Sequence, residues 1–153
     1  MRHADLPGLT HVAGAMAGIE VMEEKRLGRK YPVTILVVDH DPTVLRLLRF
    51  LLVSAGYGVL EAHTDAEAID KLTHSALPID LLLVDVELPG HGRNELARHI
   101  RTQAPETRIL YMSSLSDYEL SRAGLWNAEV VHKPLGASTL VQRIRELLPG
   151  RGR

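Results

Sequence analysis

The chain has 153 residues, 45% of them hydrophobic and 24% charged, and this length and balance favour one globular domain over a disordered chain. Lys and Arg number 18 against 19 Asp and Glu, so the formal net charge of −1 gives no bulk attraction for nucleic acid or an anionic membrane. The absence of cysteine excludes disulfides, thiol nucleophiles and thiolate metal sites. No run of about 18 apolar residues occurs, so we expect no membrane span. The lack of cysteine is compatible with a reducing cytosol, and we expect a cytoplasmic protein.

Residues 1–32 form an N-terminal extension that we expect to be flexible or partly helical. Apolar residues recur at helical spacing between residues 12 and 22, but Gly14 and Gly18 interrupt them, each lowering helix stability by roughly 1 kcal/mol. We reject a secretory signal peptide, because the apolar run is rich in Gly and Ala and Asp5 stands where positive charge is required. The basic stretch 25–30 is interpreted as a solvated segment.

Apolar runs and helical patterns alternate from residue 34 onward. The first run is continuous and rich in β-branched side chains, which is typical of a strand buried on both faces of a parallel sheet. Asp41 and Pro42 then predict a helix start, as N-cap and first helical residue, and Gly56 predicts its end. Predicted strands cover residues 34–38, 57–61, 80–85, 108–112 and 129–132, and predicted helices cover 42–55, 65–72, 116–123 and 138–148, with one more helix after the loop 86–92.

Finer features are predicted for the helices. Thr64 and Glu67 predict a capping box at the start of the second helix. The third helix turns Leu96 and Ile100 inward. The inner face of the first helix is predicted to carry Leu45, Leu48, Leu52 and Ala55, and that of the last helix Leu140, Val141, Ile144 and Leu147.

Five strands alternating with five helices predict an α/β fold, a doubly wound five-stranded parallel sheet of the flavodoxin-like type. Right-handed crossovers leave few topologies, and the commonest has strand order 2-1-3-4-5. This domain is predicted over residues 33–149, followed by a basic tail at 150–153. Ligands of such folds bind beyond the carboxyl ends of the strands, between strands one and three.

Four functional side chains stand at those strand ends: Asp39, Asp85, Ser113 and Lys133. Each alone has an ordinary structural explanation, as a helix cap, a turn residue or an ammonium directed to solvent. Together they suit phosphoryl transfer to a carboxylate, in which one Asp is the nucleophile. Charge on the phosphoryl oxygens then requires a hard cation such as Mg²⁺, a hydroxyl donor and a lysine.

At this point the sequence resembles the receiver domain of two-component response regulators, over residues 33 to 148. The matching segments, in chain order, are 34–42 (TILVVDHDP), 80–90 (DLLLVDVELPG), 109–114 (ILYMSS) and 132–135 (HKPL). The resemblance implies a receiver fold and a cis peptide bond between Lys133 and Pro134. The ordered set is specific, whereas any one segment alone is a weak signal.

The resemblance also implies a role for each site residue. Asp85 is the expected phosphoacceptor, and the Ser113 hydroxyl and Lys133 ammonium are expected to bind phosphoryl oxygens. Asp39, Asp85 and the backbone carbonyl of Glu87 are the expected Mg²⁺ ligands, with Asp39 acting through water. The protein is then no classical enzyme but a phosphoacceptor signalling domain, which catalyses only its own phosphorylation and a slow autodephosphorylation.

The implied partners are proteins. The phosphodonor is expected to be a phosphohistidine on a sensor histidine kinase or a histidine phosphotransfer protein. Output is expected through a downstream protein target or phosphate relay, without direct contact to nucleic acid. Homodimer formation is left open.

The sequence departs from the resemblance at several positions. The second acidic residue of the metal pair falls on His40, which puts His40 in doubt as a metal ligand. The glycine expected eight residues after Asp85 is Arg93, and the switch aromatic expected three residues before Lys133 is Val130. The segment after Gly124 is also longer than in the simplest receivers.

Other functions stay open at the level of sequence. A degenerate receiver acting as a phosphorylation-independent interaction module is favoured by His40 and Val130 but opposed by the four strand-end residues. A nucleotide-binding enzyme of Rossmann type requires glycines after the first strand, and residues 39–43 contain none. A metal-dependent hydrolase using Asp39 is the weakest alternative, because no second domain is predicted to enclose a substrate.

The extension yields a direct prediction: removal of residues 1–31 leaves the folded domain intact. The segment lacks sustained periodicity and precedes the first predicted strand. The melting temperature of the shortened protein, followed by circular dichroism, should match that of the full chain. A decrease of many degrees would mean that the extension packs on the domain or completes a dimer.

Overall fold

The computed structural model describes residues 33–88 and 92–150. The predictions for residues 1–32, for the loop at 89–91, for the side chain of Arg93 and for the tail at 151–153 lie outside this description. The elements, in chain order, are β1 (Thr34–Val38), α1 (Pro42–Ser54), β2 (Gly58–Ala62), α2 (Asp65–His74), β3 (Leu81–Asp85), α3 (Gly92–Gln103), β4 (Arg108–Ser113), α4 (Asp117–Arg122), β5 (Val130–His132) and α5 (Ala137–Leu147).

The five strands form one parallel sheet in the order β2-β1-β3-β4-β5, which confirms the predicted α/β fold and topology. Because β1 and β3 are neighbours, their carboxyl ends meet at the centre of one sheet edge. All residues of β1 and β3 are buried, as expected for strands covered on both faces.

The two faces of the sheet have separate apolar cores. Alternate residues of β1 divide between them, with Ile35 in one core and Leu36 in the other. One core is completed by side chains of α1 and α5, and the other by side chains of α2, α3 and α4. The helix residues concerned are Leu45, Leu48, Leu52, Leu140 and Ile144 on the first face, and Ala68, Leu96, Ile100 and Leu120 on the second.

Helix α1 begins as predicted, and its start lies directly beside the carboxyl end of β1. The Asp41 side chain accepts a hydrogen bond from the Thr43 amide at 2.8 Å, and Pro42 is the first helical residue. At the other end Gly56 takes a left-handed φ of 94°, which a side chain would disfavour. Ala55 is the exposed C-cap rather than part of the inner face, because the helix ends one residue before it.

Several predicted boundaries are shifted. β2 begins one residue later than predicted, because the Tyr57 amide bonds to the Leu52 carbonyl and closes α1. The second helix continues past Leu72 to His74. Its capping box is incomplete: Thr64 caps the Glu67 amide, but the Glu67 side chain accepts from the His63 amide instead. That backbone hydrogen bond lowers the pKa of Glu67.

Small shifts also occur around β4 and the last two helices. β4 continues to Ser113, one residue beyond the prediction. Ser116 and Glu119 form a complete capping box at the start of α4. The prediction placed both residues inside the helix and did not include this cap. In α5, Leu140 and Ile144 are buried as predicted, whereas Val141 and Leu147 are only half-buried. Within the described ranges, no helix is both long and apolar enough to cross a membrane.

Two adjacent leucines of α1 test this arrangement. Leu48 is 2% exposed and Leu47 is 63% exposed. Leu48→Ala should lower the free energy of unfolding by about 2–5 kcal/mol, because it leaves a cavity in the core. Leu47→Ala should change it by less than about 0.5 kcal/mol. Urea unfolding followed by circular dichroism measures both, and equal losses would contradict the orientation of α1.

Candidate functional site

Asp39 and Asp85 lie side by side at the carboxyl edge of the sheet. Val38 pairs with Val84 in the parallel register, so the residues that follow each of them are neighbours. Both aspartates are 1% exposed. Burying two carboxylates together is unfavourable unless hydrogen bonds and positive charge compensate them.

The two carboxylates are held by the same local device. Oδ1 of Asp39 accepts a hydrogen bond from the Asp41 amide at 2.9 Å. Oδ1 of Asp85 accepts one from the Glu87 amide at 2.9 Å. In each case the amide two residues ahead fixes one oxygen, as is typical of aspartate in turns. The second oxygen of each carboxylate remains to meet other groups.

Lys133 lies between these second oxygens. Its Nζ is 3.1 Å from Oδ2 of Asp85 and 3.7 Å from Oδ2 of Asp39, so it donates a hydrogen bond only to Asp85. The Lys133 amide bonds to the Ser113 carbonyl at 2.7 Å, and the Lys133–Pro134 peptide is cis, as the resemblance implies. Because the amide bond to Ser113 is made at the carboxyl end of β4, the Lys133 side chain lies at the same edge of the sheet as the two aspartates.

The carboxylates of the site outnumber its ammonium group. Two carboxylates face one ammonium, which leaves one negative charge uncompensated. Oδ2 of Asp39 is buried and accepts no hydrogen bond from any described residue. A buried carboxylate oxygen in this position is a ligand that a hard cation would use.

Ser113 closes the edge on the side of β4. It is fully buried, and the register places it one residue beyond Met112, which pairs with Asp85. Its Oγ accepts a hydrogen bond from the Leu115 amide at 2.9 Å. The hydroxyl hydrogen remains for a further acceptor, since no hydrogen bond donated by this hydroxyl is found among the described residues.

Sequence reasoning missed the contribution of Ser114. Its hydroxyl donates a hydrogen bond to a carboxylate oxygen of Glu87, which ties the loop after β3 to the loop after β4. The Glu87 side chain is exposed, so this contact lies on the outer side of the site. The only sequence signal was the position of Ser114 beside Ser113. The role of the Glu87 carbonyl as a metal ligand stays a prediction.

His40 faces the carboxylates, although 56% of its side chain is exposed. Its Nδ1 is 3.5 Å from Oδ1 of Asp39. Candidate ligand atoms of Asp39, His40 and Asp85 all lie within 4.8 Å of one another. The imidazole therefore occupies the place where the resemblance expects a second acidic residue. Val130, in the expected place of an aromatic, is half-buried on β5.

Comparison with known proteins identifies the family of this chain. Residues 35–145 match the family described as Response regulator receiver domain. The chain belongs to the response regulator receiver family. This receiver is 34% identical over 120 residues to the transcriptional regulatory protein AruR of Pseudomonas aeruginosa, covering 74% of the chain and 48% of AruR. It is 35% identical over 118 residues to the response regulator MprA of Mycobacterium bovis, covering 76% of the chain and 50% of MprA.

Solved structures show the same likeness. A putative response regulator from Chloroflexus aurantiacus has a TM-score of 0.66 and 31% identity to this receiver, covering 76% of the chain and 97% of that structure. The chain spans about half the length of the curated relatives it matches. The receiver is therefore similar to nearly the whole of that solved structure and to about half of each longer relative.

The shared lysine predicts energetic coupling within the site. Lys133→Met should leave a folded but less stable protein, because it leaves two buried carboxylates facing each other. Asp39→Asn in the same chain should recover part of the loss, with a coupling energy of about 1–3 kcal/mol. Urea unfolding of the wild type, both single variants and the double variant, without divalent cations, measures it.

Lys71 on α2 provides the control for this cycle. Lys71→Met combined with Asp39→Asn should be additive within about 0.5 kcal/mol, because Lys71 lies in the last turn of α2 near Glu67 and forms no described ion pair with Asp39. Additive losses for Lys133→Met and Asp39→Asn would show that Lys133 does not balance the pair.

Proposed function

We propose that this receiver accepts a phosphoryl group on Asp85 from a phosphohistidine. The observation that carries the proposal is the buried Asp85 carboxylate with its Oδ2 at 3.1 Å from the Lys133 ammonium. A carboxylate oxygen attacks phosphorus, the phosphorus–nitrogen bond of the donor breaks, and the neutral imidazole leaves after taking up a proton. The product is an aspartyl phosphate, which water later hydrolyses to aspartate and inorganic phosphate.

Lys133 and Ser113 are proposed to bind the phosphoryl oxygens. Lys133 supplies the positive charge, and the Ser113 hydroxyl supplies a hydrogen-bond donor at the neighbouring strand end. Both act where charge accumulates during phosphoryl transfer. A main-chain amide holds Oδ1 of Asp85, so this oxygen is positioned without help from these two side chains.

The residues present suit a divalent cation. The buried oxygens of Asp39 and Asp85 and the backbone carbonyl of Glu87 are the proposed ligands for Mg²⁺. The Oδ2 of Asp39, which accepts no hydrogen bond from a described residue, supports this assignment. When bound, Mg²⁺ supplies charge neutralisation for the phosphoryl oxygens. His40 is the one member of the cluster that does not suit Mg²⁺.

The proposed partners are proteins. The phosphodonor is a sensor histidine kinase or a histidine phosphotransfer protein, and the phosphorylated receiver acts on a downstream protein target in the cytoplasm. Relatives such as AruR are named transcriptional regulatory proteins, and the matching part is about half of each. The proposal of no direct nucleic-acid contact therefore concerns the receiver at residues 33–149 alone, between the extension at 1–32 and the tail at 150–153.

Intact mass spectrometry after incubation with acetyl phosphate and Mg²⁺ tests the assignment. The wild-type mass should rise by one phosphoryl group, and Asp85→Asn should remove the increase. Asp39→Asn should keep the acceptor but label more slowly, because it loses a cation ligand. Asp70→Asn, which changes an exposed acid on α2, should label like the wild type.

Two outcomes would contradict the assignment. Labelling that persists in Asp85→Asn would place the acceptor elsewhere. Wild-type protein that stays unlabelled by both acetyl phosphate and a phosphorylated histidine phosphotransfer protein would favour a phosphorylation-independent interaction module, the reading that His40 and Val130 favour.

A further inference from the structure

His40 is held in place by the residues on both sides of it. The Asp41 amide bonds to Asp39, and the Asp41 side chain caps α1 through the Thr43 amide. His40 is therefore the central residue of a short turn whose ends are both fixed. Its Nδ1 approaches Oδ1 of Asp39 at 3.5 Å, while half of the ring remains open to solvent.

The atoms around His40 can share one ion. Two ligand atoms at about 2.1 Å from the same metal lie roughly 3–4 Å apart, and the separation of 3.5 Å between Nδ1 and Asp39 Oδ1 falls in that interval. The third member, Asp85, lies within the same 4.8 Å cluster. Oδ2 of Asp39 is also buried and accepts no hydrogen bond from any described residue, since Lys133 Nζ lies 3.7 Å from it, so this oxygen can act as a ligand to a cation.

The donor set differs from one made of oxygen alone. Mg²⁺ prefers oxygen ligands and retains its water, so an imidazole adds little to its binding. Divalent ions late in the first transition series bind imidazole well and also bind carboxylate. The affinity of such a site is lower for Mn²⁺ than for Co²⁺. Replacing a carboxylate by imidazole also removes one negative charge, and this weakens the attraction for any dication. The bond to the imidazole nitrogen offsets that loss only for ions that bind nitrogen well.

We propose that Asp39, His40 and Asp85 form a site that prefers a divalent transition-metal ion such as Co²⁺ over Mg²⁺, with His40 Nδ1 as a ligand. The inference rests on the proposed function, because it assigns the cation to the same site as the phosphoacceptor. Its experiment measures metal binding directly and does not depend on phosphorylation.

Calorimetric titration of the full chain, without a polyhistidine tag and at one fixed pH, compares Mg²⁺, Mn²⁺ and Co²⁺. The affinity ratio of Co²⁺ to Mg²⁺ should fall at least tenfold in His40→Asp, a change of about 1.4 kcal/mol. His40→Ala should weaken Co²⁺ binding at least tenfold and change Mg²⁺ binding less than twofold. The visible absorption of bound Co²⁺ should change in both variants, because a nitrogen ligand is lost.

His74→Ala is the matched control. His74 is also an exposed histidine beside an aspartate, with Nδ1 at 3.0 Å from Asp70, but this aspartate is exposed on α2, whereas Asp39 and Asp85 are buried. This variant should bind Co²⁺ like the wild type, and Asp85→Asn should bind it weakly. Equal Co²⁺ affinity in wild type and His40→Ala, or an equal loss in His74→Ala, would overturn the inference.

Failure of this inference and failure of the proposed function give different results. Unchanged metal preference in the His40 variants, with Asp85 still labelled by acetyl phosphate and Mg²⁺, removes only the assignment of His40. Absence of labelling with every cation, together with a Co²⁺ preference that depends on His40, removes the phosphoacceptor role and retains the metal site.

Discussion

Two buried carboxylates that share one ammonium dominate this end of the molecule. Asp39 and Asp85 are almost fully buried, and the Lys133 ammonium lies within hydrogen-bond distance of Asp85 but not of Asp39. Such a cluster is a poor contributor to stability, since desolvation opposes each charge and like charges repel. It is tolerated because the two apolar cores supply the stability elsewhere, which leaves the sheet edge free for chemistry.

The parallel topology explains why these groups meet. Residues separated by 46 positions become neighbours because β1 and β3 are adjacent and run in one direction. β4 and β5 add Ser113 and Lys133 at the same edge through the same register rule. The site is therefore assembled from strand ends, whose positions depend on the buried core rather than on contacts among the site residues themselves.

Sequence patterns were sufficient for most of this fold and for placing the four strand-end residues at one edge of the sheet. Continuous apolar runs predict strands because both faces are buried, and Asp41 with Pro42 predicts a helix start through local chemistry. The limits of β2 were not predictable, because they depend on how Tyr57 closes the preceding helix. The link from Ser114 to Glu87 joins two loops, so no local pattern could indicate it.

The orientation of His40 lay equally beyond the sequence. A histidine next to a strand-terminal aspartate can turn to solvent or to the carboxylate, and only the folded turn decides between them. The prediction of a complete capping box at Thr64 failed for a related reason. The Glu67 side chain had two backbone amides within reach, and local spacing does not distinguish them.

The hydrogen bond from the Glu87 amide to Asp85 determines which substitutions leave the nucleophile in place. The orientation of Asp85 Oδ1 depends on a main-chain amide. Every residue at position 87 other than proline supplies this amide. The side chain at position 87 can therefore change without loss of this hydrogen bond, while Lys133 holds the other oxygen of Asp85. The side chain at position 40 lies beside Asp39 and takes no part in that hydrogen bond, so a change there alters the charge near the nucleophile and leaves the bond to its Oδ1 intact.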